Sequence, residues 1–180
     1  MRKPIRKMVQ KYYEKSKIKI PVDIKFARVK TPAKLRTIYN PKTKEYMKNV
    51  MQLDDKHYQE LAKVDIKNAK VYLQRSIAHE LGHLKRVEDS WEDVRRTYIK
   101  GYSDPKEEDF ADNYSKKLTG IGDRKFNNAL KTLQQKYDQS SKERHLKEKE
   151  KWEKGKKKRE EKYKKRLEGI KKKYSNYFKN

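Results

Sequence analysis

The chain has 180 residues, a length that suits one domain with an appendage rather than two full domains. Only 33% of residues are hydrophobic against 43% charged, which excludes a large core, while 11% aromatic residues and clear apolar clusters in the first two-thirds argue against disorder throughout. A formal net charge of +25 points to polyanionic partners, and the absence of cysteine excludes disulfides and thiolate metal sites, so any metal must be held by imidazole and carboxylate.

The opening "MRKPIRKMVQKYYEK" is basic and lacks an uninterrupted apolar core of signal-peptide length. No run approaches the roughly 18 apolar residues needed to span a bilayer. The expectation is a soluble, intracellular protein with no membrane span. Residues 5–14 predict a short basic helix with Ile5, Met8, Val9 and Tyr12 on one side. "IKIPVDIKFARV" then alternates apolar and polar residues at Val22, Ile24, Phe26 and Ala27–Val29, as a half-buried strand does. "TPAKLRTIYNPKTKEYMKNVMQLD" reads as two further strands around the turn "NPKTK", so three short strands are expected to form a small antiparallel sheet.

After a weak helical stretch beginning at Asp54, "VYLQRSIAHELGHLKRVE" is the strongest helix in the chain. Val71, Leu73, Ile77, Ala78, Leu81 and Leu84 recur at helical spacing and can bury one face. "SDPKEEDFADNYSKKLTG" carries a start signal in Ser103-Asp104-Pro105 and a stop signal in Gly120 around a helix of about four turns. A further helix is expected from Asp123 to Tyr137. Past "DQSS" the composition shifts to lysine, arginine and glutamate, and residues 142–173 read as one long solvated helix. The fold class is α+β, with a domain over residues 1–139 and a basic helical tail over 140–180.

Two of the four histidines lie in "AHELGH". Residues i and i+4 of a helix project from the same face, about 5–6 Å apart at Cβ. His79 and His83 can therefore present two imidazole nitrogens to one tetrahedral ion. Glu80 lies roughly 100° further round, poorly placed as a ligand but well placed to hold a metal-bound water. A catalytic zinc needs a third protein ligand, and the helix "KEEDFADNYSKKL" offers Glu108, with Asp112 four residues on and free to accept the outer N–H of a ligand histidine. In a shifted register Glu107 would be the ligand, paired with Ala111 instead of an aspartate; Glu108 is preferred because only it has the Asp partner. His57 and His145 are read as ordinary surface residues.

"AHELGHL" followed by "EEDFADNYSKKL" resembles the gluzincin metallopeptidases, above all the compact minigluzincins and the ImmA/IrrE-type peptidases. The likeness covers residues 70–118, and the preceding strands suit the small sheet of that fold. It implies one Zn2+ per chain on His79, His83 and Glu108, Glu80 as general base and Asp112 behind a ligand histidine. Such enzymes usually add a histidine or tyrosine that stabilises the oxyanion, for which Tyr98, Tyr102 and Tyr114 are the candidates. The implied activity is that of a zinc-dependent metalloendopeptidase acting on a protein or peptide. The alternative is a nucleic-acid-binding protein of zincin-like fold in which the metal site is structural or inactive. In either case the basic tail is a candidate surface for nucleic acid or an acidic protein.

Overall fold

The computed structural model describes residues 2–29, 31–43, 45–100 and 104–174, with side chains for all of these except 96–100 and 172–174. The elements run α1 (Arg2–Ser16), β1 (Val22–Phe26), β2 (Ala33–Tyr39), β3 (Tyr46–Leu53), α2 (Asp55–Lys100), α3 (Pro105–Thr119) and α4 (Asp123–Tyr174). The class is α+β. No helix among the described residues is long and apolar enough to cross a membrane. The chain divides into two compact units, Met1–Tyr137 and Asp138–Asn180.

The sheet is mixed, and this corrects the expectation of an antiparallel one. β2 and β3 form the antiparallel pair that the "NPKTK" turn predicts, but β1 lies parallel to β3 on its other side, giving the order β1-β3-β2. Alternation within a strand identifies the strand and its buried face; it is silent about the neighbour. The link between β1 and β2 crosses the end of β3 instead of making a hairpin. Buried Asp54, just past β3, secures that crossing. Its N–H donates to the Pro32 carbonyl at 3.1 Å, while its carboxylate accepts from Val29 N–H and His57 N–H, each at 2.9 Å. Burial alone would raise the Asp54 carboxyl, but these two backbone donors outweigh it and hold the group below its ordinary range.

α2 begins directly after the sheet and is broken by two residues with extended backbone, Asp65 and Ser90. Asp65 caps the segment that follows it. The Asp65 carboxylate accepts the N–H of Asn68 at 3.0 Å, and the Ser90 hydroxyl donates to Asp93. The segment between the two kinks holds the two histidines of "AHELGH". Its inner side, Leu73, Ile77, Ala78, Leu81 and Leu84, is buried in one cluster with Ile5 and Val9 of α1, Leu35 of β2, Met51 and Leu53 of β3, and Leu118 of α3. Burying one such side chain is worth about 1.5–3 kcal/mol, so this small core is what holds the segment rigid.

The limits of α3 follow its sequence signals. Asp104 caps it by accepting Lys106 N–H, Pro105 opens it, and Gly120 ends it in the left-handed conformation at φ 71°, its N–H bonded to the Lys116 carbonyl. The "DQSS" stretch does not interrupt α4, which is helical on both sides of it and through it.

Candidate metal centre

α2 and α3 meet at a glycine. A Cβ built on Gly82 would lie 2.7 Å from the Ala111 Cα, closer than any real contact of that kind. Only the missing side chain lets α3 approach, and that approach brings Glu108 to the histidines. His79 Nε2 lies 3.2 Å from Glu108 Oε2 and 3.1 Å from His83 Nε2, and His83 Nε2 lies 3.8 Å from Glu108 Oε1. One ligand atom from each of these three residues falls within 4.8 Å of the others.

The donor set fits a tetrahedral cation. Ligands at about 2.0–2.1 Å from zinc in tetrahedral geometry stand about 3.3 Å apart, close to the separations found here. The protonation pattern agrees. His79 Nδ1 lies 2.9 Å from Asp112 Oδ1, and a carboxylate can only accept, so Nδ1 carries a proton and Nε2 is the nitrogen that the neutral ring would offer to a metal. Burial, and then the neighbouring His79, lower the pKa of His83 to about 4, which keeps its imidazole neutral at physiological pH. A lone pair and a carboxylate facing each other at this distance repel unless a proton or a metal cation lies between them. The three residues thus form a group able to hold a metal ion.

Glu80 leaves the same turn of α2 toward the sheet. β2 is an edge strand, so the N–H groups on its outer side lack a strand partner, and that of Leu35 donates to Glu80 Oε2 at 2.6 Å. Burial pushes the Glu80 carboxyl up to about 7 against the lowering effect of that N–H. A cavity of about 240 Å³ adjoins the cluster, lined among others by Thr31, Ala33, Tyr72, His79, Glu80 and Phe126. One side chain could enter it.

The two glutamates that open α3 have different partners. Glu108 faces the histidines, whereas Glu107 is buried and accepts from Arg86 Nε at 3.2 Å. Glu108 is therefore the residue that α3 delivers to the cluster. Asp112 stands between His79 and Arg75, whose Nη2 lies 3.8 Å from Asp112 Oδ1. Arg75 is almost fully buried and is itself held by the Ile121 carbonyl at 2.7 Å and by Asp123 at 3.1 Å. Neither Arg75 nor Gly82 was assigned a role from the sequence. The available signal was a lone arginine in the most apolar helix, four residues before the first histidine and so on its face.

Of the tyrosine candidates only Tyr114 has a described side chain, and it is not brought to the cluster. Tyr114 packs against the core, and its hydroxyl donates to the Ser16 carbonyl at 3.0 Å, a structural role on the far side of α3. Tyr102 lies outside the described residues, as does the Tyr98 side chain. His57 takes part in the Asp54 crossing through its backbone, and neither His57 nor His145 belongs to a metal-binding group among the described residues. No protein-family model, curated protein or solved structure matches this chain, so the site stands on its own residues.

Proposed function

We propose that this protein is a zinc-dependent metallopeptidase of the gluzincin kind, with His79, His83 and Glu108 holding the ion. One observation carries the reading. Three ligand atoms converge from two helices, one of them oriented by Asp112, with the carboxylate of Glu80 on the same turn as the histidines. The resemblance of "AHELGHL" and "EEDFADNYSKKL" to compact gluzincins supports the same assignment. Zinc in such a site supplies Lewis acidity, bringing the pKa of water toward about 7 and polarising an amide carbonyl.

The chain's own residues would do the rest. Glu80 is held at Oε2 by the Leu35 N–H, which leaves Oε1 to take a proton from water and return it to the departing amide nitrogen. Asp112 keeps the proton of His79 on Nδ1, so that Nε2 stays a ligand atom throughout turnover, and Arg75 holds Asp112 from behind. The cavity beside Glu80 is where a side chain of the substrate would sit.

Glu80→Gln tests the reading. The amide keeps the size of the carboxylate but cannot accept the proton. The variant should fold and bind one zinc per chain while peptide hydrolysis falls by about 10²–10⁴-fold. Activity within tenfold of wild type would assign the base elsewhere. A wild-type protein that binds zinc yet cleaves no member of a diverse peptide library would sink the enzyme reading and leave a metal-binding protein.

A further inference from the structure

In the second unit α4 carries lysine, arginine and glutamate at nearly every position, and among the described residues all its large apolar side chains are exposed. At about 100° per residue, Lys147, Lys151, Lys154, Lys158, Lys162 and Lys165 fall within an arc of roughly 80°. They recur every three or four residues, and no position between Lys147 and Lys165 on that arc is anything else. None of the glutamates between 143 and 168 lies inside it. None of these six lysines has an ion-pair partner among the described residues, whereas Lys156, off the arc, pairs with Glu160. A helix that uses its charges only for its own support mixes the signs on every face. Here they are sorted.

We propose that this lysine face docks on the phosphate backbone of a nucleic-acid duplex. The six ammonium groups span about 27 Å of helix axis, most of one duplex turn, at intervals suited to successive phosphates. Three further observations select this partner. Trp152, Tyr163, Leu167 and Ile170 share a second arc, about 150° away from the first. Lys149 and Lys156 fall inside that second arc, which is too interrupted by charge to be the buried apolar face of a helix lying on a membrane. A partner protein would need apolar anchors at the centre of the contact, and the lysine arc has none. Single strands are held by aromatic stacking, and the aromatic residues sit on the other arc. What remains is sequence-independent, salt-sensitive attraction to a double-stranded backbone. This inference stands apart from the metal centre.

The test compares two triple variants of the full-length protein that lose the same charge. Lys151→Ala, Lys154→Ala and Lys158→Ala remove half of the face; Lys149→Ala, Lys156→Ala and Lys164→Ala remove three lysines outside it. Binding to a random-sequence duplex of about three turns is followed by fluorescence anisotropy in salt from roughly 0.05 to 0.3 M, with circular dichroism to check helix content. Wild type should bind with a log–log salt slope of about −5, at about 0.9 per phosphate contact. The face variant should lose more than tenfold in affinity at about 0.1 M salt and flatten the slope by about 2.7, while the control changes it by less than about one. Equal losses in both variants would show that net charge, not a face, drives binding and would overturn the proposal. So would the absence of duplex binding, or a preference for phosphatidylserine vesicles or polyglutamate over the duplex.

Discussion

The turn His79–His83 and the stretch Lys147–Lys165 both place like residues at helical spacing, but they are built on opposite principles. The histidines lie on a helix whose other side is buried, and their geometry is completed by a second helix that arrives only because residue 82 has no side chain. The lysines lie on a helix exposed all round and need no second element. A site of the first kind concentrates its free energy in a few groups and fails when one is lost. A face of the second kind spreads it over many equal contacts and loses it in small steps. Composition cannot distinguish the two; burial can.

That contrast is open to test, beginning where the effect should be largest. His83→Ala removes one of the three proposed ligands. Metal analysis after gel filtration should fall from one zinc per chain to almost none, and the rise in melting temperature on adding zinc should vanish. Zinc content equal to wild type would remove His83 from the site. Asp112→Asn should cost about 10–100-fold in zinc affinity, because the amide can turn its NH2 toward His79 Nδ1 and favour the wrong tautomer. If affinity is unchanged, the orientation of His79 is set by packing instead.

Gly82→Ala asks whether the approach of α3 makes the site. The added methyl group must displace the Ala111 backbone, so an overpacking cost of about 1–3 kcal/mol is expected, with weaker zinc binding although no ligand is altered. Loss of stability with zinc affinity retained would show that α3 tolerates the displacement. The smallest effect concerns the kink that starts the histidine segment. Asp65 is held at about 2 by the Asn68 N–H and the Lys136 ammonium, below its ordinary 3.8. A depressed carboxyl stabilises the fold above its unfolded value, and the contribution is lost as the pH falls from about 4 to 2. Asp65→Ala should therefore cost about 1 kcal/mol at neutral pH, and the difference from wild type should close over that acid range. A constant difference down to pH about 2 would mean that the carboxylate is not what supports the kink.

Much of this molecule was legible as local pattern. The alternation of β1, the signals around α3 in Asp104, Pro105 and Gly120, the apolar stripe from Leu73 to Leu84 and the spacing of His79, Glu80 and His83 all depend on residues near one another in the chain. Helical and extended periodicities project such patterns directly onto one face. The pairing of Glu108 with Asp112 on one side of α3 could be read in the same way. The partners across the structure could not. The parallel placement of β1 beside β3, the turning of Glu107 to Arg86 while Glu108 meets the histidines, the Leu35 N–H on Glu80 and the attachment of Tyr114 to Ser16 each join elements far apart in sequence. Those outcomes were decided by which surfaces could close on one another. At the candidate metal centre that came down to a single missing methyl group at residue 82, where the backbones of two helices touch.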